Sequence, residues 1–510
     1  MNVCRRDRGL LLGLALFLHC GVAATAGEAG KFSAASITGL VPKFSVILGG
    51  AVEGAGYYQN VVTHSYLPSG NFLYTIDGWG GISKLDLANK GDVVWYRDPD
   101  RRNIDTWLQA SRSMALDGDT VFVAGSDGML HWLDAASGTV TRSVVAGNPV
   151  DGFDIVAPPL VTDKLVIVAG SADDRVGPLK FIAFDKASGA LAWDAELGDL
   201  AGLSASVRQP GIFDAARDQV IWPFSFPAIA VPEIERRPWA GNGIVALDIA
   251  TGTLRWSHRE SPPSEALPQD GPVHLLPATS DQPERLLQFR GDGRIDLLDP
   301  GTGASIGASS IYSAPAPIAF SVGENNNDLR LAAPTATCEN AWAVNGYAST
   351  VNAATGLAYG ANANACVTGV GHIPPDRSEP NWLGAYYAGR DASLGLLTAA
   401  NTRTGEIVAQ RLFPAPLVGG AVIIGDGLLA VTTADGALHV LDARTLEPIA
   451  DRQLVAMSPV EPIHTVVEGQ DRLIVAVGGN AISPYIAYRP PNLTMSEGLL
   501  VLVVMGLREP

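Results

Sequence analysis

Cysteine and charge are both scarce in this chain, and each scarcity narrows the reading. Four cysteines serve 510 residues and none sits in a Cys-x-x-Cys-His run, which excludes a covalently attached c-type haem. Charged residues make up only 17% of the chain, a poor supply for long solvent-facing helices. No run of Lys and Arg interrupts a formal net charge of -17, so nucleic acid and anionic membrane surfaces are repelled rather than bound. The eight histidines show no metal-ligand spacing, and neither a Gly-rich phosphate loop nor a nucleophile elbow occurs. Past the N-terminal leader no apolar run is long enough to span a bilayer. The stretch from Leu499 to Leu507 falls far short of the ~20 residues a spanning helix needs, and it reads as a buried final strand.

What is abundant points to short strands and tight turns: 47% hydrophobic residues, 56 glycines and 34 prolines. Arg5, Arg6 and Arg8 precede an apolar run from Leu10 to Phe17, and Ala24-Thr25-Ala26 offers small residues for cleavage. Residues 1–26 are therefore expected to be a signal peptide, with the mature chain starting near Gly27 and the periplasm as its destination. An ordinary secretion signal is favoured over a twin-arginine one, and His19 before Cys20 is too large for a lipoprotein site. Removing the leader leaves Cys338 and Cys366, and in an oxidising compartment such a pair is expected to be a disulfide.

One pattern recurs along residues 27–510: alternating apolar residues, an Asp or Asn, a few small residues, a Gly, and often an aromatic four positions on. Phe181-Ile182-Ala183-Phe184-Asp185 runs through Gly189 to Trp193, and Ile244-Val245-Ala246-Leu247-Asp248 runs through Gly252 to Trp256. Further copies centre on Asp86 with Gly91 and Trp95, on Asp134 with Gly138, and on Asp299 with Gly303. Weaker ones centre on Asn352, Asn401 and Asp442, with Leu446 in place of the last glycine. This is a β-hairpin written out: the Asx caps a turn through its own backbone, the Gly takes the left-handed conformation, and the next strand begins. Eight copies with room for four strands each predict an all-β chain, an eight-bladed β-propeller forming a single domain. The final strand, from Leu499 to Val504, is expected to close the ring by pairing with the first blade.

The run of apolar strand, Ala-x-Asp, Ser or Thr-Gly and Trp resembles the tryptophan-docking repeat of the pyrroloquinoline quinone (PQQ) dehydrogenases, over nearly all of residues 55 to 507. Ala157-Pro158-Pro159-Leu160-Val161 followed by Leu165 to Ser171 is similar to that family's third blade, and the Cys338 to Cys366 spacing is similar to a disulfide of its methanol-oxidising members. The resemblance implies a quinone on the propeller axis, a calcium or lanthanide ion polarising its carbonyl, and a carboxylate base for an alcohol proton.

Carried over residue by residue, the resemblance puts Arg112 on the cofactor carboxylates and Ser171 beside the cofactor. It puts Asp174 on the metal and Arg290 near the quinone. The base falls at Glu265, or at Asp270 with a small shift. The family's floor tryptophan falls at Arg208 and its metal-binding asparagine at Phe226, while the vicinal cysteine pair before Arg112 is absent. Two functions follow: a PQQ- and metal-dependent oxidoreductase acting on an alcohol or related hydroxyl compound, passing electrons to a separate acceptor such as a cytochrome c; or a non-catalytic propeller that binds or assembles in the cell envelope.

Overall fold

The computed structural model describes residues 30–48, 66–76, 81–97, 113–124, 128–147, 155, 157–170, 179–197, 207, 209–224, 243–259, 271–280, 282–290, 293–311, 320–322, 328–331, 342–364, 367–372, 385–387, 394–415, 417–425, 427–433, 435–456, 458, 461–478 and 500–509. Apart from one short 3-10 turn, Ile37–Gly39, its named elements are strands. They form nine four-stranded sheets, eight of which are the blades of a ring. The first blade is Tyr66–Ser69, Phe72–Ile76, Ile82–Asp86 and Asp92–Arg97, each strand antiparallel to the next. Blades two to seven span residues 113–145, 160–197, 212–259, 273–310, 342–413 and 417–453. The eighth comprises Ile463–Val467, Gln470–Gly478, Leu500–Leu507 and, as its outermost strand, Leu40–Ile47.

Ring closure is visible in the core. Burial is divided among eight hydrophobic clusters, and each fills the seam between two successive blades. Tyr74, Ile76 and Trp95 of the first blade meet Met114, Val121 and Leu133 of the second, and so on around to Val467, Ile474 and Val504 of the eighth, which meet Leu73 and Leu85 of the first. A blade strand can bury both faces only if a sheet stacks on each side, which is why second and third strands such as Val166-Ile167-Val168 read as continuous apolar runs. The first strands of neighbouring blades lie against one another and form the inner wall, while outer strands such as Asp92–Arg97 are mostly exposed.

The turn chemistry is as the sequence predicts. In the second blade Asp134 Oδ1 accepts from the backbone N–H and the hydroxyl of Ser137, both at 2.7 Å, and Gly138 follows at φ +70°. The same glycine receives the neighbouring tryptophan: a Cβ on Gly138 would lie 2.6 Å from the Trp95 ring, and one on Gly252 2.5 Å from that of Trp193. Left-handed backbone and close approach therefore demand glycine at one position for two separate reasons.

Two details differ from the sequence reading. Asn352 and Asn401 both belong to the sixth blade, Asn352 turning its first strand into its second and Asn401 its third into its fourth. The eighth blade has no such turn, because its outer strand comes from the N-terminus. Eight copies thus equal eight blades through two offsetting departures. Second, Leu500–Leu507 does pair with the first strand of the chain, Leu40 opposite Leu507 through Ile47 opposite Val501, but both lie in the last blade and the first blade is untouched by that pairing. The ninth sheet, Phe320–Val322, Asp328–Leu331, Val367–His372 and Ala385–Tyr387, is interleaved with the strands of the sixth blade and has no copy of the repeat.

Candidate functional site

In blades one to five and seven the third strand runs down into an Asp turn, and in the sixth into Asn401, so these turns gather at one end of the ring. At the opposite end the first strands begin and the second strands finish. The residues carried over from the resemblance adjoin these strand ends in sequence: Arg112 directly precedes Ser113, and Ser171 directly follows Gly170. Arg112, Ser171, Asp174, Arg208, Glu265 and Asp270 lie outside the described residues, as do Phe226, Cys338, Cys366 and the leader 1–26.

Arg290 is described. It directly follows the second strand of the fifth blade, Arg285–Phe289, is 4% exposed, and its Nη1 donates to Asp296 Oδ2 at 3.0 Å, with His258 of the fourth blade 3.9 Å from the same oxygen. A buried guanidinium is tolerated because that carboxylate faces it across the hairpin. The hairpin register reveals its counterpart. Arg290 stands five residues past Arg285, level with the turn Asp299. Asn362 stands five past Leu357, which pairs with Asn401, and Thr433 five past Leu428, which pairs with Asp442. Arg290, Asn362 and Thr433 therefore occupy one level on three consecutive blades. Asn362 is fully buried and neither its Oδ1 nor its Nδ2 has a partner among the described residues, which makes it a strong candidate for a ligand contact. Sequence reasoning missed it, because nothing local marks an Asn in a strand; only counting back from the turn would have.

Two polar groupings stand on the inner wall. His274 of the fifth blade is hydrogen-bonded through Nε2 to Ser349 Oγ of the sixth at 2.9 Å, and burial pushes its imidazole down to about 4, so it is neutral at physiological pH. Tyr66 opens the first strand of the first blade and Glu461 leads into that of the eighth. Burial pushes the Glu461 carboxyl up to about 7 and raises the Tyr66 phenol, which the Glu461 charge raises further. Among the described residues no group of three or more His, Cys, Asp or Glu could hold a metal ion, and no helix is long and apolar enough to cross a membrane.

The closed ring defines an eight-bladed propeller, the fold of solved quinoprotein alcohol and methanol dehydrogenases, and the repeat is similar to theirs in sequence. A family model described as outer membrane protein assembly factor BamB matches residues 77–264. The quinohemoprotein alcohol dehydrogenase ADH IIB of Pseudomonas putida is 32% identical over 127 residues, which is 24% of this chain and only 18% of that protein. Among solved structures, the quinohemoprotein alcohol dehydrogenase ADHIIG of Pseudomonas putida HK5 superimposes with a TM-score of 0.70 at 16% identity, covering 94% of this chain and 78% of the other. A europium-containing methanol dehydrogenase gives 0.66 at 17% identity, covering 94% and 95%. At such identities the structural likeness speaks for the fold.

Proposed function

We propose that this protein is an exported, periplasmic quinoprotein-like oxidoreductase that acts on an alcohol or a related hydroxyl compound at the end of the ring opposite the Asx turns. The observation that supports it most is Asn362, an unpartnered buried amide on the blade next to Arg290 and at the same level. A quinone rimmed with carboxylates and carbonyls fits a guanidinium and an amide that offers both a donor and an acceptor. In this reading Arg112, Ser171, Arg208, Arg290 and Asn362 hold PQQ, Asp174 holds calcium or a lanthanide, and the Cys338–Cys366 pair is a disulfide. When bound, the quinone takes up the two electrons of an alcohol oxidation. Glu265 or Asp270 receives the hydroxyl proton, for which a carboxylate within hydrogen-bond reach is required. Electrons then leave to a separate acceptor such as a cytochrome c.

The second reading, a non-catalytic propeller serving as a binding or assembly module in the envelope, is favoured by Phe226, which cannot ligate a hard cation, by Arg208 in place of a flat apolar floor, and by the hold of Asp296 on Arg290. One experiment separates the two. Purified protein is mixed with PQQ and calcium or lanthanum, followed by quinone absorbance and then by dye reduction with short alcohols. The oxidoreductase reading expects a bound quinone band, weakened at least tenfold in affinity by Asn362→Ala and by Arg112→Ala. Absence of a band at saturating PQQ leaves the binding-module reading.

A further inference from the structure

At the Asx-turn end of the ring, the seam between the second and third blades opens into a cleft of about 520 Å³. That volume falls within the roughly 300–1,000 Å³ usual for small-molecule sites. The turn glycines show how the cleft arises. A Cβ on Gly138, Gly252 or Gly303 would meet the indole of Trp95, Trp193 or Trp256 from the preceding blade, whereas one on Gly189 would meet the stem of Arg142. A narrow aliphatic stem covers less of the seat than an indole, and the space it leaves runs from the turn at Asp185 to the Asp117–Thr120 hairpin of the second blade. Phe122 and Trp132, packed edge to face with ring centres 5.7 Å apart, close it on the core side. Its rim holds the carboxylates of Asp117, Asp163 and Asp185 and the cations of Arg142, Lys164 and Lys186, so the two signs balance. Lys186 Nζ pairs with Asp117 Oδ2 at 2.7 Å, but both side chains are partly exposed, and such a pair adds little stability and can be shared with a ligand. One N–H of Arg142 donates to the Ala187 carbonyl. The rest of its fork, the Lys164 ammonium and the Asp163 carboxylate have no hydrogen-bond partner among the described residues.

This balance of charge selects the ligand. An anion entering the cleft meets the carboxylates and a cation meets the guanidinium and ammonium groups, so a ligand of either sign faces like charge. A hydroxyl both donates and accepts, and a neutral molecule carrying several of them satisfies both sets of groups at once. Its C–H face can rest on the aromatic floor. We propose that this cleft binds a short neutral saccharide, with Arg142 and Lys164 donating to its hydroxyl oxygens and Asp117 and Asp163 accepting from its hydroxyl protons. The site lies at the end of the ring opposite Arg290 and Asn362, and it stands whether or not a quinone binds on the axis.

The test titrates the full-length protein calorimetrically with maltose, cellobiose and chitobiose, and with diglycine as a zwitterionic control. At least one disaccharide should bind with a Kd of about 1 mM, and diglycine roughly tenfold more weakly or not at all. Because the ligand is uncharged, its affinity should hold as salt rises from about 50 mM to about 500 mM. Arg142→Ala and Asp117→Ala change partly exposed side chains and should each weaken saccharide binding several-fold, while Asn362→Ala, on the axis, leaves it unchanged. That pattern separates the cleft from a sugar bound as a hydroxyl substrate at the other end of the ring. Absence of binding by all three sugars up to about 50 mM overturns the assignment. So does diglycine binding as tightly as the sugars, or a saccharide affinity that falls with Asn362→Ala and is indifferent to both cleft substitutions.

Discussion

The indole Nε1 of Trp132 donates at 3.0 Å to the carbonyl of Lys186, the residue after the turn Asp185 of the next blade. Trp95 reaches the same position at Ala135, Trp193 at Ile249 and Trp256 at Pro300. Tyr359 does so at Ala443 with its hydroxyl, at 2.8 Å. Trp132, however, is on a third strand and the other tryptophans are on fourth strands. In the second blade the fourth-strand position belongs to Arg142, which lies over Gly189, donates to Ala187 O and stands 5.8 Å from the Trp132 ring centre. The seam keeps its donor by moving it one strand inward.

This exchange predicts unequal seams. Trp193→Ala removes a nearly buried indole and its hydrogen bond and should destabilise the protein by about 3–5 kcal/mol. Arg142→Ala removes a half-buried stem and one hydrogen bond while Trp132 still reaches Lys186, and should cost about 1 kcal/mol. Chemical unfolding of both variants measures the contrast.

Glycines at positive φ separate into two kinds. Gly70 has φ +57° with nothing within 4 Å of the place a methyl would take, so Gly70→Ala carries backbone strain alone, roughly 1 kcal/mol. Gly252→Ala adds a collision with the Trp193 ring, and overpacking adds about 1–3 kcal/mol more. Thermal unfolding should place Gly252→Ala clearly below Gly70→Ala.

Three groups of residues give different pH signatures. Hydrogen bonds from Ser137, Ser188 and Arg255 hold Asp134, Asp185 and Asp248 below the usual carboxylate range, so their stabilisation is present above about pH 4 and is lost as pH falls through their folded values. His274, depressed to about 4, resists protonation in the fold, so it destabilises as pH drops from about 6.5 toward 4. Glu461, raised to about 7, destabilises as pH climbs from its unfolded 4.5 to 7. Melting temperatures against pH should therefore show His274→Gln gaining on the parent protein as acid is added below 6.5, and Glu461→Gln gaining as pH rises to 7.

Much of the ring is legible in the residues themselves. A turn that needs an Asx cap, a left-handed glycine and an indole seat leaves all three in the sequence at fixed spacing, as at Asp185, Gly189 and Trp193. Strand exchange leaves no such mark: nothing in Leu40–Ile47 announces that it completes a blade begun at Ile463, since packing of Phe44 and Val46 over Gly91 and burial of Leu40 against the seventh blade help select that place. The interleaved ninth sheet is hidden for the same reason, having no repeat to count. At the site, Arg290 is found through the family resemblance, while Asn362 owes its interest to burial without partners among the described residues, a property of the assembled seams.

A ring of eight blades closed by the N-terminal strand underlies every assignment above, and hydrogen exchange tests it most directly. Backbone amides of Leu40–Ile47 that pair with Leu500–Leu507 should be protected to the same degree as those between Gln470–Gly478 and Leu500–Leu507, and both should open together near global unfolding. Exchange of residues 40–47 at the rate of an unstructured peptide, with 500–507 still protected on its other edge, would contradict it.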